Sequence, residues 1–225
     1  MGTSNWQNIS YNIQIVKLLN PMKILDVGIG FGRWGILFRE FLEVWGDNNY
    51  SGKWNRKIDG IEIFPDYIKP YHEYFYDNIH ICNALDFLRN TGEKYDLINF
   101  GDVIEHFEKE EGIELIKLSL KKSRYTLINI PVGDYWPQDS INGNEYEKHK
   151  SIWKVSDFKI YKNHLIKNFE DIEMRKYSVV LLSEDKINLK EAYGKHFYKK
   201  NIIGNKLKLK GVVKLIEKNK KKNNN

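Results

Sequence analysis

Apolar and polar positions alternate along the first 135 residues in a pattern that predicts strands and helices in turn. Short apolar runs have the length and composition of buried strands, and they span residues 22–29, 57–64, 79–83, 94–100 and 125–132. Segments with apolar residues three or four positions apart predict helices, over residues 6–19, 34–45, 65–76, 86–90 and 108–122. Strands that alternate with helices indicate an α/β fold with a largely parallel sheet.

The pattern changes after residue 153. Residues 156–168 predict a further helix that Ser156 caps. Residues 169–183 predict a hairpin, with residues 179–182 as its apolar arm. We therefore predict one folded domain over residues 1–185 and a basic, partly helical tail over residues 186–225.

The turn after the first predicted strand gives the strongest local signal. Asp26 lies near the end of that strand, Gly28, Gly30 and Gly32 follow at alternate positions, and an apolar helical pattern begins at Trp34. Glycines allow the chain to turn sharply and to approach a ligand closely. A strand, a glycine loop and a helix are typical of α/β sheets that bind nucleotides at the carboxyl ends of their strands.

Two kinds of ligand fit this loop. The spacing Gly30-x-Gly32-x-x-Gly35 matches the dinucleotide fingerprint and therefore allows NAD. Asp26 favours a ligand with an ammonium group instead, because a carboxylate attracts that group and repels a pyrophosphate. A tight turn without a ligand is a further alternative, against which the density of glycines argues.

Polar residues also end the next predicted strands. Glu62 ends the second strand, where a carboxylate can accept hydrogen bonds from both ribose hydroxyls. An ordinary surface glutamate is the alternative, but Glu62 lies in an apolar run and therefore needs a partner. Asn83 follows the third strand, and Asp102 follows the fourth, in the segment Asp102-Val-Ile-Glu-His106.

These motifs, in this order, resemble the class I S-adenosylmethionine (SAM)-dependent methyltransferases over roughly residues 20–135. The resemblance implies a doubly wound, mostly parallel, seven-stranded Rossmann-like sheet with helices on both faces, which the predicted hairpin would complete. It also implies SAM as the cofactor and a set of residues that bind it: Asp26, Gly28, Gly30, Gly32, Glu62, Ile63, Asn83, Ala84 and Asp102. Asn83 departs from the family, in which an acid commonly binds the adenine amino group, and Asp86 is the substitute. Asp86 as a simple cap of the helix at 86–90 is the alternative.

The long segment 131–153 after the fifth strand mixes aromatic, acidic and amide residues. Long loops at this edge tend to be lids or binding loops, and this mixture suits a polyhydroxylated acceptor. His149 is the candidate base for an acceptor hydroxyl, with Glu147 or Glu145 to orient it. His106 is a second candidate, because the resemblance places it near the transferred methyl group. The alternative for His149 is a surface histidine in a charged loop, and the alternative for His106 is a histidine that only forms hydrogen bonds within the fold. The segment also resembles that of methyltransferases from polysaccharide-type gene clusters.

Charge is distributed unevenly along the chain. The net charge is +6, but residues 205–225 hold eight lysines and one glutamate, so the rest is close to neutral. This distribution gives no strong signal for nucleic acid binding on the folded body. Residues 209–216 predict a basic amphipathic helix, which could contact an anionic membrane or a partner, or pack on the body. The single cysteine, Cys82, excludes an internal disulfide, fits a cytoplasmic location and argues against a zinc cluster. We predict no metal site.

We therefore predict a SAM-dependent methyltransferase that methylates a hydroxyl of a small molecule or glycan. One alternative is a methyltransferase that acts on RNA or protein through the basic tail. A second alternative is a SAM-binding module without catalysis, and a third is an NAD enzyme.

Overall fold

A mixed β-sheet forms the centre of the fold. The computed structural model describes residues 5–133, 137–141, 143–171 and 174–187, and in these residues seven strands form one sheet. The strands are β1 (Lys23–Val27), β2 (Lys57–Glu62), β3 (Asn78–Ile81), β4 (Tyr95–Gly101), β5 (Ser123–Pro131), β6 (Asn163–Glu170) and β7 (Lys176–Ser183). Their order is β3-β2-β1-β4-β5-β7-β6, and β7 is antiparallel to both of its neighbours. The predicted seven-stranded, mostly parallel sheet is confirmed.

Helices cover both faces of this sheet. Within the described residues they are α1 (Ile9–Leu19), α2 (Arg33–Phe38, continued by a π-helical segment at Arg39–Val44), α3 (His72–Phe75), α4 (Ala84–Asn90), α5 (Lys109–Lys122) and α6 (Val155–Lys159). Because alternate residues of a strand point to opposite faces, Leu25 and Val27 pack with α4 and α5, whereas Ile24 lies on the side of α1 and α2.

The order of the strands places a crevice beside β1. The chain winds outward from β1 to β3 on one side and from β4 to β5 on the other. The loops that leave β1 and β4 therefore diverge at the carboxyl ends of these neighbouring strands. Ligands of open α/β sheets bind at such a point, and the glycine loop and Asp102 both follow strands that end there.

Two predicted helices were wrong. Residues 65–76 form a 3-10 turn (Pro65–Tyr67) and the short α3 instead of one helix, because Pro70 lacks an amide donor and disfavours the helical conformation at Lys69. Residues 156–168 divide into the short α6 and β6, which pairs along its whole length with β7. The N-cap of α6 is Lys154 rather than Ser156.

The tail lies largely outside the described residues. Residues 188–225 include the predicted amphipathic helix at 209–216, so this helix and the domain boundary at residue 185 remain predictions. Within the described ranges, which end at Ile187, the structure has no helix with the length and apolar character needed to cross a membrane.

Candidate active site

A cavity of about 790 Å³ opens at the carboxyl edge of the sheet. Its walls come from the loops after β1, β2, β3 and β4, from the segment before α1, and from residues 138–141 and 144–150. Most of the predicted site residues lie in its lining: Gly28, Gly30, Glu62, Ile63, Asn83, Ala84, Asp102, His106 and His149. Asp26 and Gly32 are absent from this lining.

The glycine loop brings its backbone to the cavity because no side chain fits at its centre. Gly28 has a φ of +71°, and a Cβ atom added there would lie 2.5 Å from Cγ2 of Val103. The amide of Gly30 donates to Oε2 of Glu62 at 3.0 Å, which ties the loop to the end of β2. Gly32 lies behind the cavity as the N-cap of α2, with a φ of +84°.

Asp26 lies one layer below the loop and is 1% exposed. Its carboxylate accepts hydrogen bonds from the Tyr76 hydroxyl at 2.6 Å and from the Asn99 amide at 2.8 Å. Burial raises the pKa of Asp26 from 3.8 to about 7, although both hydrogen bonds act in the opposite direction. Asp26 is therefore placed to brace the loop through Tyr76, whose oxygen also accepts from the amide of Gly35 at 3.1 Å. Direct contact with a ligand's ammonium group is not supported by this position.

Glu62 lies in the cavity wall and is 5% exposed. Its two carboxylate oxygens accept from the amides of Gly30 and Phe64, each at 3.0 Å. Burial raises the pKa of Glu62, and these backbone amides act in the opposite direction. Because each carboxylate oxygen can accept more than one hydrogen bond, Glu62 can still accept from a bound diol.

Asn83 both caps α4 and contributes to the cavity wall. Its Oδ1 accepts from the amide of Leu85 at 2.8 Å and so caps the helix, while the residue also lines the cavity. The side-chain amide group of Asn83 is therefore its main donor toward a ligand. Asp86, the substitute in the sequence prediction, has a mostly exposed side chain that pairs with Arg89 at 3.6 Å. The alternative, in which Asp86 caps this helix, is wrong, because Asn83 is the N-cap.

Asp102 has an unusual backbone conformation in the cavity wall. Its φ of +56° lies in the left-handed region, which non-glycine residues adopt rarely and at functional sites in particular. Its Oδ2 accepts from the amide of Asn5 at 3.0 Å, and this bond holds the segment before α1 over the cavity. Arg33, also in the lining, interacts electrostatically with Asp102.

Glu105, His106 and His149, which we call the Glu-His-His cluster, meet on the other side of the cavity. The rings of His106 and His149 are 5.0 Å apart between centroids. The backbone carbonyl of Glu105 accepts from the amides of Lys150 at 2.8 Å and Ser151 at 3.1 Å, which brings residue 149 beside residue 106. The approach is fixed further by Trp153, which is buried against α5.

The protonation states of Glu105 and His106 depend mainly on burial. Burial raises the pKa of Glu105 well above its usual range, and the carboxylates of Asp102 and Glu147 raise it further. Burial lowers the pKa of His106, and the neighbouring His149 adds to this effect. His106 is therefore a neutral imidazole near pH 7, with one nitrogen lone pair available.

The two predicted orienting residues differ in position. Glu147 lines the cavity, and its Oε1 accepts from the Tyr67 hydroxyl at 2.7 Å. Glu145 is exposed and lies outside the cavity lining. Gln138 holds the segment in place, because its side-chain amide donates to the carbonyl of Glu147 at 2.7 Å and its own carbonyl accepts from the amide of His149 at 3.0 Å.

No protein-family model and no curated protein matches the chain. Solved structures do resemble it. A SAM-dependent methyltransferase from Archaeoglobus fulgidus is 18% identical, with a TM-score of 0.55 over 77% of this chain and 91% of the other. An O-methyltransferase family protein from Burkholderia thailandensis is 12% identical, with a TM-score of 0.51 over 79% and 57% of the two chains. The O-methyltransferase TomG from Streptomyces achromogenes, solved in complex with SAM, is 11% identical, with a TM-score of 0.50 over 80% and 81%.

The chain has the class I SAM-dependent methyltransferase fold. Within this fold, sequence reasoning missed several residues of the cavity, namely Asn5, Arg33, Tyr67, Glu105 and Gln138. Glu105 is the most informative of them, because an acid directly before a candidate histidine was visible in the sequence. The proximity of Glu105 to His149 could not be predicted from the sequence, because it depends on backbone contacts with residues 150 and 151.

Proposed function

We propose that this protein is a SAM-dependent methyltransferase that methylates a hydroxyl group of a small molecule or glycan. One observation carries the proposal: a single cavity joins the glycine loop and Glu62 to two half-buried imidazoles. The first set of residues suits a nucleoside with a charged amino acid end. The second set suits the activation of an alcohol.

On the cofactor side, we assign the residues of the loops after β1, β2 and β3. Glu62 accepts from the ribose hydroxyls, and Asn83 and Ala84 lie beside the adenine. Ile63 contributes apolar surface next to Glu62, and all four residues line the cavity. Gly28 and Gly30 provide backbone close to the methionine part, and Asp102 receives its ammonium group.

On the acceptor side, we assign the Glu-His-His cluster and the cavity-lining residues Gln138, Ile141, Asn144, Tyr146 and Glu147. The acceptor oxygen attacks the methyl carbon in line with the sulfonium, a C–O bond forms, and the C–S bond breaks with its electron pair on sulfur. Orientation in the cavity supplies much of the rate enhancement. His106 and His149 assist the departure of the hydroxyl proton. Tyr67, Gln138 and Asn144 offer hydroxyl and amide groups for further acceptor hydroxyls.

Thermal unfolding with S-adenosylhomocysteine and, separately, with NAD tests the cofactor assignment. A ligand at about one hundred times its dissociation constant stabilises the native state by about 2.7 kcal/mol. We expect this stabilisation with S-adenosylhomocysteine and none with NAD. Stabilisation by NAD alone would overturn the assignment.

Glu62→Ala tests whether Glu62 binds the cofactor. We expect its binding of S-adenosylhomocysteine to weaken by roughly 1–3 kcal/mol in binding free energy, because a charged hydrogen-bonding partner is lost. Asp86→Ala is the matched control, since its side chain is exposed and pairs only with Arg89 among the described residues. Equal affinity in both variants would contradict the ribose role. Transfer of a labelled methyl group to a panel of sugars and phenols then tests the reaction, and SAM binding without transfer would favour a non-catalytic module.

A further inference from the structure

The Glu-His-His cluster has the composition and spacing of a metal site. One ligand atom from each of Glu105, His106 and His149 lies within 4.8 Å of the other two. In a tetrahedral site with bonds of about 2.1 Å, ligand atoms lie about 3.4 Å apart. Side-chain rotations that shorten the present separations by up to about 1.4 Å therefore bring all three atoms to one ion.

Glu105 supplies an independent reason for an ion. The residue is 1% exposed, it lines the cavity, and neither carboxylate oxygen has a hydrogen-bond partner of good geometry among the described residues. Its own backbone amide lies near enough to favour the charged form weakly. A buried carboxylate without partners is costly, and a bound cation removes that cost.

The histidines are held in the way that metal ligands require. Nδ1 of His106 lies 3.2 Å from the carbonyl oxygen of Lys148. Because a carbonyl can only accept, Nδ1 carries the proton in this contact, which places the lone pair of the neutral ring on Nε2. The backbone of Asp102 also acts on this imidazole. The backbone of His149 is fixed by its hydrogen bond to Gln138 and by the bonds from residues 150 and 151 to Glu105.

The surrounding charges also favour a cation. The carboxylates of Asp102 and Glu147 both act electrostatically on Glu105. Arg33 interacts with Asp102, but it does not provide a hydrogen bond to the orphaned oxygens of Glu105. The acidic side chains of Asp102 and Glu147 beside the cluster create a negative potential that a divalent ion offsets.

We propose that Glu105, His106 and His149 bind one divalent first-row transition-metal ion, of the type of Zn²⁺, Co²⁺ or Mn²⁺. Two imidazole nitrogens and one carboxylate oxygen fit these ions better than Mg²⁺ or Ca²⁺, which prefer oxygen ligands. Three protein ligands leave coordination positions open toward the cavity.

The catalytic part of this inference rests on the proposed methyl transfer. The acceptor hydroxyl occupies an open position on the ion, which makes its O–H bond more acidic. The proton passes to solvent water, the oxygen lone pair forms the C–O bond, and the sulfonium becomes a neutral thioether. His106 and His149 then act as ligands that hold the ion rather than as bases.

Titration of the tag-free, chelator-treated, full-length chain with Co²⁺ tests the site directly, because visible absorption reports its coordination. We expect one ion per chain, and we expect Glu105→Gln and His149→Ala each to weaken binding about 100-fold or more. His164→Ala is the matched control, since His164 is exposed on β6 and outside the cavity lining. Circular dichroism identifies a variant that fails to fold, and His149→Ala, on a surface segment, then decides the question.

The outcomes separate the metal site from the proposed function. The site is overturned if the wild type shows no stoichiometric Co²⁺ spectrum, or if both variants bind Co²⁺ like the control. Undiminished methyl transfer after chelation, or in Glu105→Gln, overturns the metal's catalytic role while the methyltransferase assignment stands. Stoichiometric Co²⁺ binding that both variants lose, without methyl transfer to any acceptor, supports the site and counts against the proposed function.

Discussion

The cofactor side and the acceptor side of the cavity are built in different ways. The cofactor side consists of short loops that leave neighbouring parallel strands, and its contacts join backbone amides to Glu62. The acceptor side depends on a meeting of distant segments, such as the contact between His106 and Lys148, which are 42 positions apart. The strand order of the sheet determines the positions of the residues on the cofactor side. On the acceptor side, these positions depend on how one long segment folds back onto the sheet. Substitutions on the two sides should therefore affect different measured quantities.

We expect His149→Ala to give the largest difference between the effect on turnover and the effect on cofactor affinity. Loss of this group should reduce turnover by about 10²–10⁴-fold, because the acceptor oxygen loses its means of deprotonation. Affinity for S-adenosylhomocysteine should remain within about twofold, since the cofactor side is unchanged. Parallel measurement of kcat and of ligand affinity by calorimetry checks both statements, with His164→Ala as the control. A variant that keeps full turnover would remove His149 from the mechanism.

Asp26→Asn should change how stability depends on pH. The folded protein keeps a proton on Asp26 up to about pH 7, whereas the unfolded chain loses it near pH 3.8. The wild type therefore loses stability from this group as pH rises between these values, on the order of 4 kcal/mol in total. The asparagine variant lacks this loss, so its unfolding free energy relative to the wild type should rise from pH 4 to pH 8.

Urea unfolding of both proteins across this pH range measures the effect. Comparison of the two proteins cancels the titration of carboxyls remote from Asp26, whereas Glu62, which acts electrostatically on Asp26, contributes to the difference. A constant difference between wild type and variant would mean that Asp26 is ionised throughout. Urea unfolding does not depend on turnover. The test therefore reports on Asp26 beneath the glycine loop and not on the acceptor side.

Gly28→Ala should have a smaller but still clear effect on the cofactor side. The added Cβ would meet Val103 at 2.5 Å in a left-handed backbone conformation, which together cost about 2–4 kcal/mol of stability. Affinity for S-adenosylhomocysteine should fall as well, because the loop must move. Gly92→Ala is the matched control, as no atom lies within 4 Å of its added Cβ. Equal melting temperatures for the two variants would contradict the close approach of the loop to Val103.

The sequence was sufficient for the parts of the fold whose information is local. β1, β2 and β4 are buried on both faces, and their aliphatic residues mark them as strands although polar residues such as Asp59 and Asn99 interrupt the runs. The alternate glycines after β1 require no tertiary contact to be recognised. The positions of Glu62 and Asn83 follow because parallel strands end at a common edge.

Other parts depend on contacts that no short window contains. β6 includes four exposed residues and resembles a helix in its spacing, and its extended form is stabilised by pairing with β7. The placement of Asp26 below the loop depends on Tyr76, fifty positions away. The Glu-His-His cluster forms because the chain beyond residue 147 returns to Glu105. This contact joins backbone groups, so the residue types at these positions do not indicate it.

That contact has a consequence for how the protein can change its specificity. The carbonyl of Glu105 is bonded to the amide of Lys150, and an amide is present whichever residue other than proline occupies position 150. The segment before it can therefore exchange side chains, or gain and lose residues, while position 149 stays in register with position 106. A library randomised at positions 139–146, with Gln138 and Glu147 kept, would search new acceptors on an unchanged reaction centre. The hydrogen bond between Glu105 and Lys150 thus allows the choice of acceptor to change while the reacting groups stay in place.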